Sequence, residues 1–112
     1  CNINLLHKLT KFNTQKKTNT VAVDLAVKKC GMVGRDTLLG GQGADTLDGG
    51  REEDVIRGHA GNDAIRGDHG SDTIFGGGGS DTIEGGDGDD RIDGGGGRDG
   101  IDGGDGDDTI NG

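Results

Sequence analysis

A nine-residue period runs without a slip from Gly31 to Asn111. The first residue of every block is glycine: Gly31, Gly40, Gly49, Gly58, Gly67, Gly76, Gly85, Gly94 and Gly103. The sixth is aspartate: Asp36, Asp45, Asp54, Asp63, Asp72, Asp81, Asp90, Asp99 and Asp108. The eighth is a large aliphatic: Leu38, Leu47, Ile56, Ile65, Ile74, Ile83, Ile92, Ile101 and Ile110. A fixed short period means stacked identical units, because one block cannot bury its single aliphatic alone and neighbours must do it together.

The units are built from turn material and very little oil. The chain has 112 residues, 27 glycines, two phenylalanines and no proline, tryptophan or tyrosine. Within a block, the last three residues (TLD, TIF, TIE, RID) suit a very short strand with the aliphatic pointing to one face. The first six suit a turn, where glycine permits a tight path and aspartate organises the backbone. Strand, turn, strand, turn makes a coil of eighteen residues, so each block stacks on the next but one. Nine blocks make four and a half coils, a stack roughly 20 Å tall at ~4.8 Å between strands. All nine aliphatics then face inward between two parallel sheets.

Charge divides the chain at Cys30/Gly31. Residues 1–30 carry all six lysines against one acid, Asp24, a net of +5; residues 31–112 carry six arginines against twenty acids, a net of −14, and the two sum to −9. All glycines lie after residue 30. A repeat region this acidic repels nucleic-acid phosphates and suits a cation. No stretch is long and apolar enough to serve as a transmembrane segment, and CNINLL lacks the apolar core and cleavage site of a signal peptide. The chain opens on Cys1 and stops at Gly112, the first residue of a tenth block. It reads as a piece of a larger protein.

The consensus G-G-x-G-x-D-x-U-x, with U a large aliphatic, resembles the RTX, or hemolysin-type calcium-binding, nonapeptide-repeat family, over residues 31–111. The blocks 40–48, 76–84, 85–93, 94–102 and 103–111 match in full. Met32, His59 and Asp68 replace the second glycine, and Glu52 replaces the fourth, where a positive φ is expected and a side chain is penalised. The resemblance implies an all-β fold, a right-handed parallel β-roll. It also implies that calcium holds the roll together: nine aliphatics are a small core for some eighty glycine-rich residues, and stacked carboxylates repel one another. Calcium takes six to eight oxygens in forgiving geometry, whereas magnesium demands stricter geometry and dehydrates reluctantly.

Carried over residue by residue, the resemblance implies ligands at Asp36, Asp54, Asp72, Asp90 and Asp108 along one edge of the roll. Along the other edge it implies Asp45, Asp63, Asp81 and Asp99. Backbone carbonyls would come from the glycine-rich loops at Gly40, Gly43, Gly58, Gly61, Gly76, Gly79, Gly85, Gly88, Gly94, Gly97, Gly103 and Gly106. Four gaps on one edge and three on the other make up to seven calcium sites. The pairs 45/63, 63/81, 81/99, 72/90 and 90/108 follow the pattern best, whereas those using Asp54 border Glu52. Family members are exported unfolded, typically by type I secretion, and fold outside the cell, so the resemblance implies an extracellular location and a secretion system as partner.

Residues 1–30 read as a basic leader. Leu5, Leu6 and Leu9 allow a turn or two of helix, and Val21, Val23, Leu25 and Val27 alternate as a strand over 21–27 that would cap the open end of residues 31–112. Cys1 and Cys30 lie outside the repeats, and two free thiols are the simpler reading than a disulfide. GGGRDG at 95–100 meets a dinucleotide pattern by composition alone. DGDD at 87–90 and 105–108 lacks the glycine and distant glutamate of an EF-hand, and His7, His59 and His69 lack zinc spacing. Asp48, Asp87, Asp89, Asp93, Asp102, Asp105 and Asp107 read as a solvated face.

Two functions remain: a calcium-driven structural and secretion-assisting module without chemistry of its own, or the non-catalytic region of a secreted enzyme, cytolysin or adhesin. Neither H-E-x-x-H nor G-x-S-x-G occurs in the sequence. A disordered acidic linker is disfavoured by the unbroken aliphatic position.

Overall fold

A computed structural model of the chain describes residues 18–22, 28–30 and 34–112, with side chains from residue 34 onward. The described residues form eleven strands: β1 (Thr18–Ala22), β2 (Lys28–Cys30), β3 (Arg35–Gln42), β4 (Thr46–Gly50), β5 (Val55–Ala60), β6 (Ala64–His69), β7 (Thr73–Gly78), β8 (Thr82–Asp87), β9 (Arg91–Gly96), β10 (Gly100–Asp105) and β11 (Thr109–Asn111). Odd strands make one sheet, in the order β1-β3-β5-β7-β9-β11, and even strands make the other, β10-β8-β6-β4-β2. Pairing is parallel throughout. The chain is therefore an all-β solenoid of two parallel sheets, with about eighteen residues per turn.

Register follows the repeat. Leu38 pairs with Ile56, Ile56 with Ile74, Ile74 with Ile92 and Ile92 with Ile110; Leu47, Ile65, Ile83 and Ile101 do the same in the second sheet. The aliphatics from Leu38 to Ile92 are at most 1% exposed and form one cluster between the sheets, with Ile101 partly buried against it. Ile110, in the last half-coil, is 48% exposed.

Strands β5 to β10 each span six residues, not the three expected, because the first three positions of a block continue the pairing begun by the last three. Gly77 pairs with Gly95 and Gly78 with Gly96, for example. Only the fourth to sixth positions are left as turn. A positive φ occurs at the second position as well as the fourth, as at Gly77 (112°) and Gly79 (125°), so the strand bends at its glycine pair before the chain crosses over. Glu52 takes φ 71° at its fourth position, as its place in the block predicts, and His59 (79°) and Asp68 (83°) take it at the second.

Of the strand expected at 21–27, Val21 and Ala22 fall in β1, and residues 23–27 lie outside the described residues. The helical turn expected near Leu5 and the pairing of Cys1 with Cys30 also lie outside them. In register, β1 aligns Val21 with Leu38 and β2 aligns Lys29 with Leu47. No helix of the described residues is long and apolar enough to cross a membrane.

The core makes a graded prediction. Ile74→Ala, with its neighbours unable to collapse between two sheets, should cost about 2–5 kcal/mol. Ile110→Ala should cost under ~1 kcal/mol, because half of its surface is already in water. Denaturant unfolding of the cation-loaded chain measures both, and equal losses would contradict the assignment of the core.

Candidate metal centre

The sixth-position aspartates point into the roll. Side chains alternate in and out along a strand, so the inward series that contains the eighth position also contains the sixth and the first of the next block. Asp36, Asp45, Asp54, Asp63, Asp72, Asp81 and Asp90 are accordingly only 1–2% exposed, flanking the aliphatic core. Asp99 and Asp108, in the last coil, are half-buried.

From Asp54 onward, each carboxylate is gripped by the preceding coil. The backbone N–H of Asp36 donates to Asp54 Oδ1 at 2.7 Å, and those of Asp54 and Asp72 donate to Oδ1 of Asp72 and Asp90 at 2.7 and 2.8 Å. Along the other edge, Asp45 donates to Asp63 and Asp63 to Asp81, both at 2.8 Å, and Asp81 to Asp99 at 2.9 Å. Asp90 donates to Asp108 at 2.9 Å. Two ladders result, each rung eighteen residues from the next. Only one oxygen per carboxylate is held this way. The Oδ2 atoms of Asp54, Asp72, Asp81 and Asp90 are buried without a hydrogen-bond partner, a costly state for any acceptor and more so for an ionised one.

Those oxygens lie over the first-position glycines. A Cβ on Gly76 would stand 2.5 Å from Asp81 Oδ2 and 2.6 Å from the carbonyl oxygen of Gly94, one coil further on. Gly40 sits likewise between Asp45 Oδ2 and the Gly58 carbonyl, Gly58 between Asp63 and Gly76, and Gly85 between Asp90 and Gly103. Glycine is required here for space, since oxygens of two successive coils converge where a side chain would begin. The expected first-position donors Gly58, Gly76, Gly94 and Gly103 thus have their carbonyls beside a carboxylate oxygen.

The fourth-position glycines are placed differently. The carbonyls of Gly43, Gly61, Gly79 and Gly88 lie against the next fourth-position glycine of the same edge, at Gly61, Gly79, Gly97 and Gly106. The N–H groups of Gly61, Gly79 and Gly88 donate to the carbonyls of Gly78, Gly96 and Asp105 at 2.8–2.9 Å. They brace the stack edge.

Burial disfavours charge on the ladder. Burial raises Asp54 to about 8; the N–H of Asp36 lowers it, while Asp72, Asp36 and Glu52 add repulsion. Burial raises Asp72 to about 6, against the N–H of Asp54, with Asp90, Asp68 and Glu53 repelling. Asp81 and Asp90 are also raised, first by burial and then by Asp99 and by Asp108 with Asp89, despite the N–H groups of Asp63 and Asp72. Among the described residues, no three acidic, histidine or cysteine side chains gather as a ready metal cluster. A cation here would meet carboxylates from successive coils and complete its shell with backbone carbonyls, a donor set of hard oxygens that suits calcium.

The remaining acids stay outside. Asp87, Asp89, Asp102, Asp105 and Asp107 are exposed, and Asp48 and Asp93 are half-exposed. His69 Nδ1 lies 2.9 Å from Asp87 Oδ2 at the surface, and His59 is exposed. Sequence reasoning did not find the inward aim of the carboxylates or the N–H groups that hold them. The signal was present: sixth, eighth and first positions are two apart and share a face.

A pH dependence follows. A carboxyl raised in the folded state and ordinary (3.8) in the unfolded one favours folding when protonated. Its contribution is full below about 4 and is lost as pH rises through Asp72 near 6 and Asp54 near 8. In chelator, the β-sheet circular dichroism signal should therefore strengthen from pH 8.5 to pH 5. A signal that weakens on acidification would contradict the burial of the ladder.

The family profile of the RTX calcium-binding nonapeptide repeat (4 copies) matches the chain at residues 31–56, 52–83, 66–101 and 75–110. Searches of curated proteins and of solved structures returned no match. RTX repeats bind calcium ions and are characteristic of secreted proteins. With the repeat profile spanning more than half of its length and the glycine, aspartate and aliphatic positions stacked coil on coil, the chain belongs to the RTX calcium-binding nonapeptide-repeat family.

Proposed function

We propose that residues 31–112 are a calcium-driven folding module of a larger exported protein, preceded by a basic leader at 1–30 whose strands close the open end. The observation that carries this reading is the set of buried, unpartnered Oδ2 atoms at Asp54, Asp72, Asp81 and Asp90. Calcium, when bound, supplies positive charge and the missing oxygen-directed bonds. The chain's own residues do the rest. Backbone N–H groups fix one oxygen of each carboxylate, first-position glycines leave room at the other, and the aliphatic ladder keeps water out.

The ligands in this reading are the sixth-position aspartates together with loop carbonyls, led by those of the first-position glycines. Up to seven ions fit the gaps between successive loops, four along the Asp36–Asp108 edge and three along the Asp45–Asp99 edge. Ions that bind the folded chain alone stabilise it by mass action, and several sites add. Such a module is unfolded where calcium is scarce and folded where it is plentiful, which suits export through a narrow channel of the type I kind followed by folding outside the cell. The module performs no chemistry itself in this reading; an activity elsewhere in the parent chain, of an enzyme, cytolysin or adhesin, is the alternative role it would serve.

Far-UV circular dichroism tests the proposal, since the chain has no Trp or Tyr. Calcium should drive a cooperative coil-to-β change that chelator reverses, and magnesium at equal concentration should not. A chain equally ordered in both buffers would overturn it.

A substitution pair separates ligand from scaffold. Asp81→Asn keeps an oxygen to accept the Asp63 N–H but removes the charge, so the calcium midpoint should rise by at least about tenfold. Asp87→Asn, at the surface, should leave it within about twofold. Equal shifts would sink the ligand assignment.

A further inference from the structure

Among the described residues, three that are not glycine hold a positive φ: Glu52 (71°), His59 (79°) and Asp68 (83°). They fall in three consecutive loops, 49–54, 58–63 and 67–72. The next four loops, 76–81, 85–90, 94–99 and 103–108, have glycine at every such position, from Gly77 to Gly106. Among the described residues, this strain is therefore confined to loops 49–72.

Its size decides what it does. A left-handed conformation at an L-residue costs roughly tenfold in a folding equilibrium, less at Asp68 because a short polar side chain can bond locally. His59 and Asp68 make the same strand pairing that glycine makes at these positions in other coils, and the three side chains add little: Glu52 and His59 are exposed, and Asp68 lies 3.7 Å from the exposed Arg66. The acids of these loops, Glu52, Glu53 and Asp68, repel the buried carboxylates and attract cations at once. Solvent screens both effects at the exposed Glu52 and Glu53, and Arg35 lies 3.0 Å from Glu53, whereas backbone strain is not screened. Repeat arrays respond by local unit stability and neighbour coupling, so a contiguous block of weak units can order separately from a strong one.

We infer that calcium orders the roll in two stages divided between Asp72 and Gly76, with loops 76–108 ordering at the lower concentration and loops 49–72 at a higher one. Glu52, His59 and Asp68 set the second threshold. This rests on the calcium reading above and adds to it a division that the repeat pattern alone does not contain. The opposing effect is fraying of the last coil, where Ile101 in β10 is only partly buried and Ile110 in β11 is exposed; strands β8 and β9, whose Ile83 and Ile92 are fully buried, precede it and report the strong block without it.

Hydrogen–deuterium exchange with mass spectrometry, run on the whole chain across a calcium titration, tests this. Peptides covering 82–96 should gain protection at a calcium concentration at least about tenfold below that for peptides covering 55–69. The triple substitution Glu52→Gly, His59→Gly and Asp68→Gly should bring the two midpoints within about twofold by lowering the second. Conversely, Gly86→Asp, which places the residue of position 68 in a strain-free loop, should raise the first. One shared midpoint in the unsubstituted chain, the reverse order, or a gap that survives the triple substitution would each overturn the two-stage inference while leaving the calcium reading standing. No protection at any calcium concentration would overturn both.

Discussion

A carboxylate placed inside a protein needs a partner for each oxygen, and this fold supplies one of the two. Each backbone N–H at the sixth position reaches across to the aspartate of the next coil, which fixes that side chain and couples the coils mechanically. The other oxygen is left in the interior beside a glycine carbonyl one coil on. Two oxygens facing each other are repulsive unless a proton or a cation lies between them. In the function proposed above, the whole architecture is conditional on that third party. In that reading protons serve at low pH, in keeping with the raised carboxyls of Asp54 and Asp72, and at neutral pH a divalent cation meets the charge and the donor count together.

The rest of the repeat can be derived from this constraint. The first position must be glycine because a side chain would occupy the space where the oxygens converge, while the second and fourth must bend the chain with positive φ. Among the described residues the eighth position supplies the buried core, a single row per sheet between two layers. Such a core is thin for its length, and this explains why stacking register matters more than side-chain packing: every aliphatic lies directly on its equivalent eighteen residues away, and a slip of one residue would move it to the solvent face.

Much of this was legible in the sequence. The unbroken spacing of Leu38 to Ile110 gave the stacking of alternate blocks, the parallel sheets and the core, and the lone Glu52 among fourth-position glycines marked a place where φ is positive. The inward aim of the sixth-position aspartates was not read, because the six residues before each strand were taken as turn; the two-residue alternation from Ile83 back to Asp81 and on to Gly85 carries it. Strand length was also underestimated, since glycine carries no strand propensity and pairing at Gly77 or Gly86 is imposed by neighbours in the stack rather than by the residue itself. His59 and Asp68 were noticed as departures, but their strain at the second position became visible only with the backbone.

Small-angle X-ray scattering at neutral pH tests the central claim most directly, because the roll is compact and its unfolded chain is not. The folded roll has a Cα radius of gyration of 12.6 Å, whereas an unfolded chain of this length would have one of roughly 34 Å. The chain should be expanded in chelator and should contract to a little over a third of that radius when calcium is restored. The same compact radius in both buffers would contradict it.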